Sequence, residues 1–388
     1  MGREIVAKIA VYRMREPKAS DTVRFADNQH APMATLTVKN VGPIREAEIE
    51  VKKHTIFIGP QGTGKSTLAK LIAIGGDEDI LTEKRGEGWG EHVSFKKYNM
   101  DGYVSDLDST FIFDVDKYCI GYEDTKDEDI GKSLFLSQTK ELTSVLFFLT
   151  SYMPAERSLF PILSDSVWSL LSANINIPKS LSFFGKYFEE ARNEKSNFFI
   201  PFLKIHYVRK GSKDLLYFQS DKSILLSQSA SGYQSIIPLL LVVEHQRQQS
   251  QRRFIIEEPE LNLYPTAQKD LIYSLVGGLD PEKTYQDAEW VITTHSPYVL
   301  TSYNTLMLAY KVAQRSDELR AEVDKIIPSR YWINPEDFAA YYVDNGTARS
   351  ITSEKTGMIN DSELDNVSED FAGEQDQLLN LYRSVSIA

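Results

Sequence analysis

The stretch Gly59-Pro60-Gln61-Gly62-Thr63-Gly64-Lys65-Ser66 limits what this 388-residue chain can fold into more than any other. Its spacing, Gly-x-x-x-x-Gly-Lys-Ser, wraps a backbone loop around phosphate oxygens. Glycines at 59, 62 and 64 free the backbone to turn its N–H groups inward. Lys65 is then placed to reach the outer phosphates, and the Ser66 hydroxyl to ligate Mg2+. Thr63 and Thr67 complete the phosphate-contacting set. Such a loop works between a strand and a helix, because the helix N-terminus supplies part of the positive potential. The flanks satisfy this requirement: His54 to Ile58 is a short apolar run of buried-strand type, and Thr67 to Ala73 has helical composition.

Residues 36–40 and 44–51 alternate apolar and polar around the turn Val41-Gly42-Pro43, which predicts an antiparallel hairpin ahead of the loop. Arg253 to Ile256 and Trp290 to Thr294 read as buried strands, with helices over Tyr233 to His245 and Thr266 to Val276. Alternation of short apolar strands with helices predicts a largely parallel α/β sheet. Lys210 to Asp214 reads as a hairpin turn between Phe202–Arg209 and Leu215–Gln219, leading into Ser223 to Gln228. Helical stretches at Gln138–Thr150, Leu159–Ala173 and Leu181–Lys195 predict an inserted, mostly helical lobe. The expected division is an N-terminal extension (1–33, with Met33 an alternative start), a core (34–75 and 200–310), the inserted lobe (76–199) and a C-terminal acidic cap (311–388).

A phosphate loop binds nucleotide, but hydrolysis needs an acid for the metal and a group to orient the attacking water. Phe254-Ile255-Ile256-Glu257-Glu258-Pro259-Glu260 supplies both at the end of a buried strand. Glu257 is assigned to Mg2+ and Glu258 to the water, with Glu260 as a further carboxylate. Ile292-Thr293-Thr294-His295 ends a second buried strand, so His295 can hydrogen-bond a γ-phosphate. Ser229-Ala230-Ser231-Gly232 precedes an apolar helix. Small residues there make a second anion site, or Ser229 or Ser231 simply caps the helix.

In the chain order phosphate loop, Ser-x-Ser-Gly-x-Gln helix, acid pair after a strand and strand-end histidine, the four elements resemble ATP-binding-cassette ATPases of the SMC/RecF/OLD (overcoming lysogenization defect) branch. The wording EEPELNLYP, THSPYVLTS, SASGYQSIIPLLL and LTVKNVGPI…IFIGPQGTGKST carries the resemblance over about residues 34–74 and 200–305. Between these, Pro154-Ala155-Glu156-Arg157 is similar to a segment of related ATPases, with no role assigned. The resemblance implies a P-loop NTPase of the cassette type: a mixed sheet with antiparallel N-terminal hairpin strands and an inserted helical lobe. It implies ATP and Mg2+ as cofactors and a homodimer or higher homo-oligomer closed around ATP. Ser231 and Gly232 then meet the γ-phosphate of the partner's nucleotide. The stretch from Glu260 to Leu263 takes the loop position after the acids. Gln138 is the candidate for the nucleotide-sensing glutamine. Stand-alone members of this branch are similar to components of bacterial anti-phage defence systems of Septu and PARIS type, which implies a separate effector protein, a nuclease for example. A RecF-like DNA-repair ATPase is the alternative.

The remaining features narrow the partners. A formal net charge of -12 argues against a chain coated in nucleic acid. Arg247, Arg252 and Arg253 form the one basic cluster to weigh for DNA contact, against a solvated helix end. The acidic run Asp361, Glu363, Asp365, Glu369 and Asp370 reads as a solvated face rather than a metal site. One cysteine, Cys119, rules out an internal disulfide. The longest apolar run, Ile236 to Val243, is short of a membrane span and is broken by Pro238. The first residues carry scattered charges rather than an apolar signal core, so the expected compartment is the cytoplasm.

Overall fold

Alternating apolar side chains drive the first two described segments into strands. β1 (Ala34–Val41) buries Ala34, Leu36, Val38 and Val41, and β2 (Ile44–Val51) buries Ile44, Ala47, Ile49 and Val51. They pair antiparallel around Gly42, whose φ of 52° suits a residue without Cβ. β3 (His54–Ile58) follows and feeds the phosphate loop and helix α1 (Lys65–Gly75). The computed structural model describes residues 34–77, 95–100, 102–103, 109–115, 118–124, 132–138, 150–163, 177–218, 222–249, 253–280, 282–283, 288–360 and 374–379.

The chain continues through β4 (Thr110–Val115), β5 (Tyr118–Asp124), β6 (Lys132–Gln138) and β7 (Thr150–Met153) to helix α2 (Lys179–Glu194). Next come β8 (Asn197–Ile200), β9 (Ile205–Lys210), β10 (Lys213–Tyr217), β11 (Ser223–Leu225) and helix α3 (Ser231–Gln246). The last part alternates: β12 (Arg253–Glu257), α4 (Pro265–Gly277), β13 (Glu289–Thr294), α5 (Pro297–Ala313), α6 (Asp317–Ile326), β14 (Phe338–Asp344) and β15 (Thr347–Ser350).

Among the described residues these strands form an 11-stranded mixed sheet in the order β6-β5-β4-β1-β2-β15-β14-β3-β13-β12-β7. A separate antiparallel sheet has the order β11-β10-β9-β8. The strands β14, β3, β13, β12 and β7 run parallel, and the N-terminal strands antiparallel. Successive residues of the central strands enter opposite cores. Ile56, Phe254, Ile256 and Ile292 pack with α3 and α5, whereas Phe57, Ile255 and Val291 pack with α1. Burial on both faces explains why these strands read as unbroken apolar runs. Each fully buried side chain of this size contributes about 1.5–3 kcal/mol.

Three expectations need correction. First, the inserted segment is not mostly helical where it is described. β4, β5 and β6 extend the main sheet, because Phe111, Phe113 and Val115 alternate with less buried residues and cover α1. α2 matches the helix expected at Leu181–Lys195, and Phe160–Leu163 is a single helical turn. The rest of the Leu159–Ala173 stretch and the helix expected at Gln138–Thr150 fall almost wholly outside the described residues. Second, residues 338–350 are no peripheral cap. β14 pairs with β3 in parallel at the centre of the sheet, and β15 returns beside β2. Third, Arg247 and Arg253 are neither solvated nor available to DNA. The Arg253 guanidinium is buried against Glu289 at 2.7 Å, and Arg247 Nη1 donates to the Leu275 carbonyl with its guanidinium over Trp290. Arg252 and the acidic run at 361–370 lie outside the described residues, as does the extension 1–33.

Candidate active site

Strand register builds the site. Glu257 of β12 lies opposite Thr293 of β13, which lies opposite Phe57 of β3, and Ile256 lies opposite Met153 of β7. The C-terminal ends of four adjacent parallel strands therefore lie in one row. They carry Pro154, Glu257 and Glu258, His295, and Gly59. Ligands of open α/β sheets bind at that end.

The phosphate loop has the backbone its glycines were expected to allow. Gly59, Gly62 and Gly64 take φ values of 148°, 75° and 107°. A Cβ on Gly59 would stand 2.2 Å from the Val343 carbonyl oxygen of β14, and one on Gly64 would stand 2.3 Å from Ile44 Cδ1. The loop is thus wedged between β14 and the turn into β2. A Cβ on Gly62 would meet nothing within 4 Å, so only its conformation demands glycine. Thr63 Oγ1 donates to the Pro60 carbonyl. α1 starts at Lys65 with no side-chain cap and no acid in its first turn, which leaves its N–H groups to an anion. Ser66 and Thr67 lie in that first turn. The Lys65 ammonium is folded onto the loop, donating to the Gly59 carbonyl at 2.8 Å and the Pro60 carbonyl at 2.6 Å. Burial lowers its pKa, opposed by the charges of Glu258, Glu260 and Glu257.

The acids occupy distinct environments. Glu257 is buried, and burial raises its pKa. Lys70, a hydrogen bond from Tyr152 and one from Ser66 act the other way. Its Oε1 is buried without a hydrogen-bond partner. A buried carboxylate with one open oxygen beside a serine hydroxyl is a donor set that fits Mg2+. Glu258 is half-exposed and held at φ 44°, in the left-handed region. Its N–H donates to the Thr293 carbonyl. Its Oε1 stands 3.4 Å from His295 Nε2. Burial lowers the pKa of His295, as does the nearby Lys65 charge, while Glu258 and a hydrogen bond to the Gly59 backbone raise it. A neutral imidazole at pH 7 follows. Glu260 is buried beside this set, with its Oε2 lacking a hydrogen-bond partner. It accepts from Thr294 Oγ1 at 2.5 Å and from the His295 N–H at 3.0 Å, so it ties the acid turn to the end of β13.

Ser231 and Gly232 open α3, whose N-cap is Ala230 with no capping side chain. Neither serine caps it, because Ser229 Oγ donates to the Leu226 carbonyl. Ser231 is exposed at the bare helix end. Gly232 has a role within the chain, since a Cβ there would stand 2.7 Å from the Asn262 carbonyl oxygen in the loop after the acids. Among the described residues no hydrogen bond joins Ser231 or Gly232 to the phosphate loop. Gln138 ends β6 at the outer edge of the sheet. Register through β5, β4, β1 and β2 puts it at the end away from the phosphate loop, where it cannot sense nucleotide.

Two residues escaped sequence reasoning. Tyr152, the next-to-last residue of β7, hydrogen-bonds Glu257. The sequence signal was its place two residues before Pro154 at a strand end. Arg157 was noted without a role. It is fully buried and donates to the carbonyls of Glu257 and Glu258 at 2.6 and 2.5 Å.

No protein of curated function matches the chain. Among solved structures it is similar to the SMC head domain from Thermotoga maritima, at 10% identity and TM-score 0.43, covering 84% of this chain and 100% of that one. It is also similar to the Smc head domain with an extended coiled coil bound to the C-terminal domain of ScpA, from Pyrococcus furiosus (10%, TM-score 0.42, 83% and 96%). A third is the recombination mediator protein RecF with ATPrS (12%, TM-score 0.40, 83% and 99%). In sequence, residues 168–300, which hold Ser231, Gly232, Glu257, Glu258 and His295 but not the phosphate loop, match the model of the AAA ATPase domain family.

Proposed function

We propose that this protein binds and hydrolyses ATP with Mg2+ as a P-loop ATPase of the ATP-binding-cassette type. The observation that carries the reading is the single row of strand ends bearing Gly59, Glu257, Glu258 and His295. In this reading the inward N–H groups of 59–66 and the Lys65 ammonium hold the phosphates, and Lys65 leaves the loop carbonyls to do so. Ser66 and Glu257 hold Mg2+, with Tyr152 orienting the Glu257 carboxylate. Bound there, the ion would supply charge neutralisation for the phosphates. Glu258 orients and deprotonates the attacking water, and the neutral His295 hydrogen-bonds the γ-phosphate. Closure of the sheet end against a second copy excludes bulk water. The bare N-terminus of α3 at Ser231 and the exposed rings of Tyr264 (76%) and Tyr298 (51%) beside the site support a homodimer formed through ATP.

Regulation of a separate effector, a nuclease, in anti-phage defence rests on the motif resemblance. The RecF-like alternative needs a DNA surface other than Arg247 and Arg253. No helix among the described residues is long and apolar enough to cross a membrane. The test is phosphate release from MgATP by the purified protein beside Lys65→Ala. Turnover in the first and loss of nucleotide binding in the second are expected. Equal phosphate release from both would overturn the assignment. For the defence role, loss of phage protection on Lys65→Ala in cells carrying the neighbouring genes is expected, and unchanged protection would remove it.

A further inference from the structure

Arg157 does more than the proposed chemistry assigns to it. Its guanidinium has no exposed surface and no carboxylate in hydrogen-bond contact. Every acceptor is a backbone carbonyl, and these lie on three separate segments. Nη1 donates to Pro154 at 3.1 Å and to Glu257 at 2.6 Å. Nη2 donates to Glu258 at 2.5 Å, and Nε donates to Ser235 of α3 at 3.3 Å. A buried cation normally meets an anion directly. Here its charge is balanced through space by Glu260, Glu258, Glu257 and Glu156.

The carbonyls it holds lie at two irregular points of the backbone. Glu258 adopts a left-handed backbone, which costs a residue with a Cβ about 1–2 kcal/mol. Thr293 accepts its N–H, and its C=O accepts from both the Leu261 N–H and Arg157. On the other side, Pro238 stands inside α3 and offers no N–H to the Gln234 carbonyl. The helix is therefore weakened at the turn where Arg157 grips Ser235. That turn lies one step from the Ser231-Gly232 end. A guanidinium fork can join these segments at fixed geometry, whereas an ammonium cannot reach all four acceptors at once.

We propose that Arg157 is a positioning residue that couples the acid turn Glu257-Glu258 to helix α3, so that nucleotide engagement at one is transmitted to the other. The inference rests on the ATPase reading. It adds that the acids and the Ser231 end move as one body.

The test follows backbone hydrogen exchange of the full-length wild type with and without MgATP, beside Arg157→Lys. In the wild type, protection is expected to change together over 256–261 and 231–236. Protection at 256–261 with no change at 231–236 overturns the coupling without any variant. For Arg157→Lys, MgATP affinity is expected to stay within about threefold. The response at 231–236 should vanish, and kcat should fall about 10- to 100-fold at unchanged KM. A variant that keeps both wild-type turnover and the wild-type exchange response refutes the proposal. Absence of any MgATP effect anywhere in the wild type would instead strike at the ATPase reading itself.

Discussion

Acid should loosen the strand that delivers the phosphate loop, and the size of the effect follows from one side chain. His54 opens β3, buried at 4% exposure, with its ring 5.7 Å from that of Tyr303 and its Nδ1 without a hydrogen-bond partner. Burial, with a smaller push from Lys53, drops its pKa from 6.5 to about 3. Above pH 6.5 the imidazole is neutral in both folded and unfolded chains, and its contribution to stability is fully present. As pH falls below 6.5 the unfolded chain takes up a proton that the folded chain refuses, so stability is lost down to about pH 3. With 1.36 kcal/mol per unit, the loss is about 1.4 kcal/mol at pH 5.5 and about 2 kcal/mol at pH 5. Burial raises the pKa of Glu257 and Glu260, which makes their contribution run the other way. The wild-type profile alone is therefore a sum. The difference between wild type and His54→Leu isolates His54. Urea unfolding at pH 7.5 and pH 5.5 should show the wild type losing about 1.4 kcal/mol more than the variant over that interval. Equal losses in the two proteins would refute the claim that this histidine stays neutral in the folded chain.

Other consequences are equally direct. Gly59→Ala places a Cβ against the Val343 carbonyl at a positive φ. It should cost about 1–3 kcal/mol of stability and weaken MgATP binding, read by urea midpoint and by titration with a fluorescent nucleotide. Glu260→Ala strips the acceptor from the Thr294 hydroxyl and the His295 N–H. A loss of about 1–3 kcal/mol is expected, with turnover reduced and nucleotide still bound at the phosphate loop. Ser66→Ala should shift the Mg2+ dependence of hydrolysis to higher concentration, with little change in metal-free ATP binding.

What the sequence displayed and what it hid follow from where the information lies. The phosphate loop, the acid pair and the strand-end histidine are local: a few apolar residues end at a reactive one, and the strand alone fixes which end of the sheet it occupies. β14 was hidden because its burial comes from pairing with β3, far away in the chain, while the acidic stretch after it dominates the composition. Arg247 and Arg253 read as solvated because a charge run usually is. Glu289 and Trp290, delivered by the neighbouring strand, turn both inward. Ser231 and Gly232 were legible as a helix start, yet the packing of Gly232 on Asn262 belongs to the tertiary fold. Arg157 was visible as a residue and invisible as a link, since its acceptors sit at 154, 235, 257 and 258.

The central claim is that Glu258, at the end of β12, activates water for hydrolysis of an ATP held by the phosphate loop and sealed by a second copy. The most direct measurement pairs steady-state phosphate release with light scattering on Glu258→Gln in MgATP. The substitution keeps the shape and the backbone contacts to Thr293 and Arg157 and removes the charge. Turnover is expected to fall about 10²- to 10⁴-fold, with ATP retained and the molecular mass doubled. Full turnover in a protein that stays monomeric with ATP bound would contradict the account.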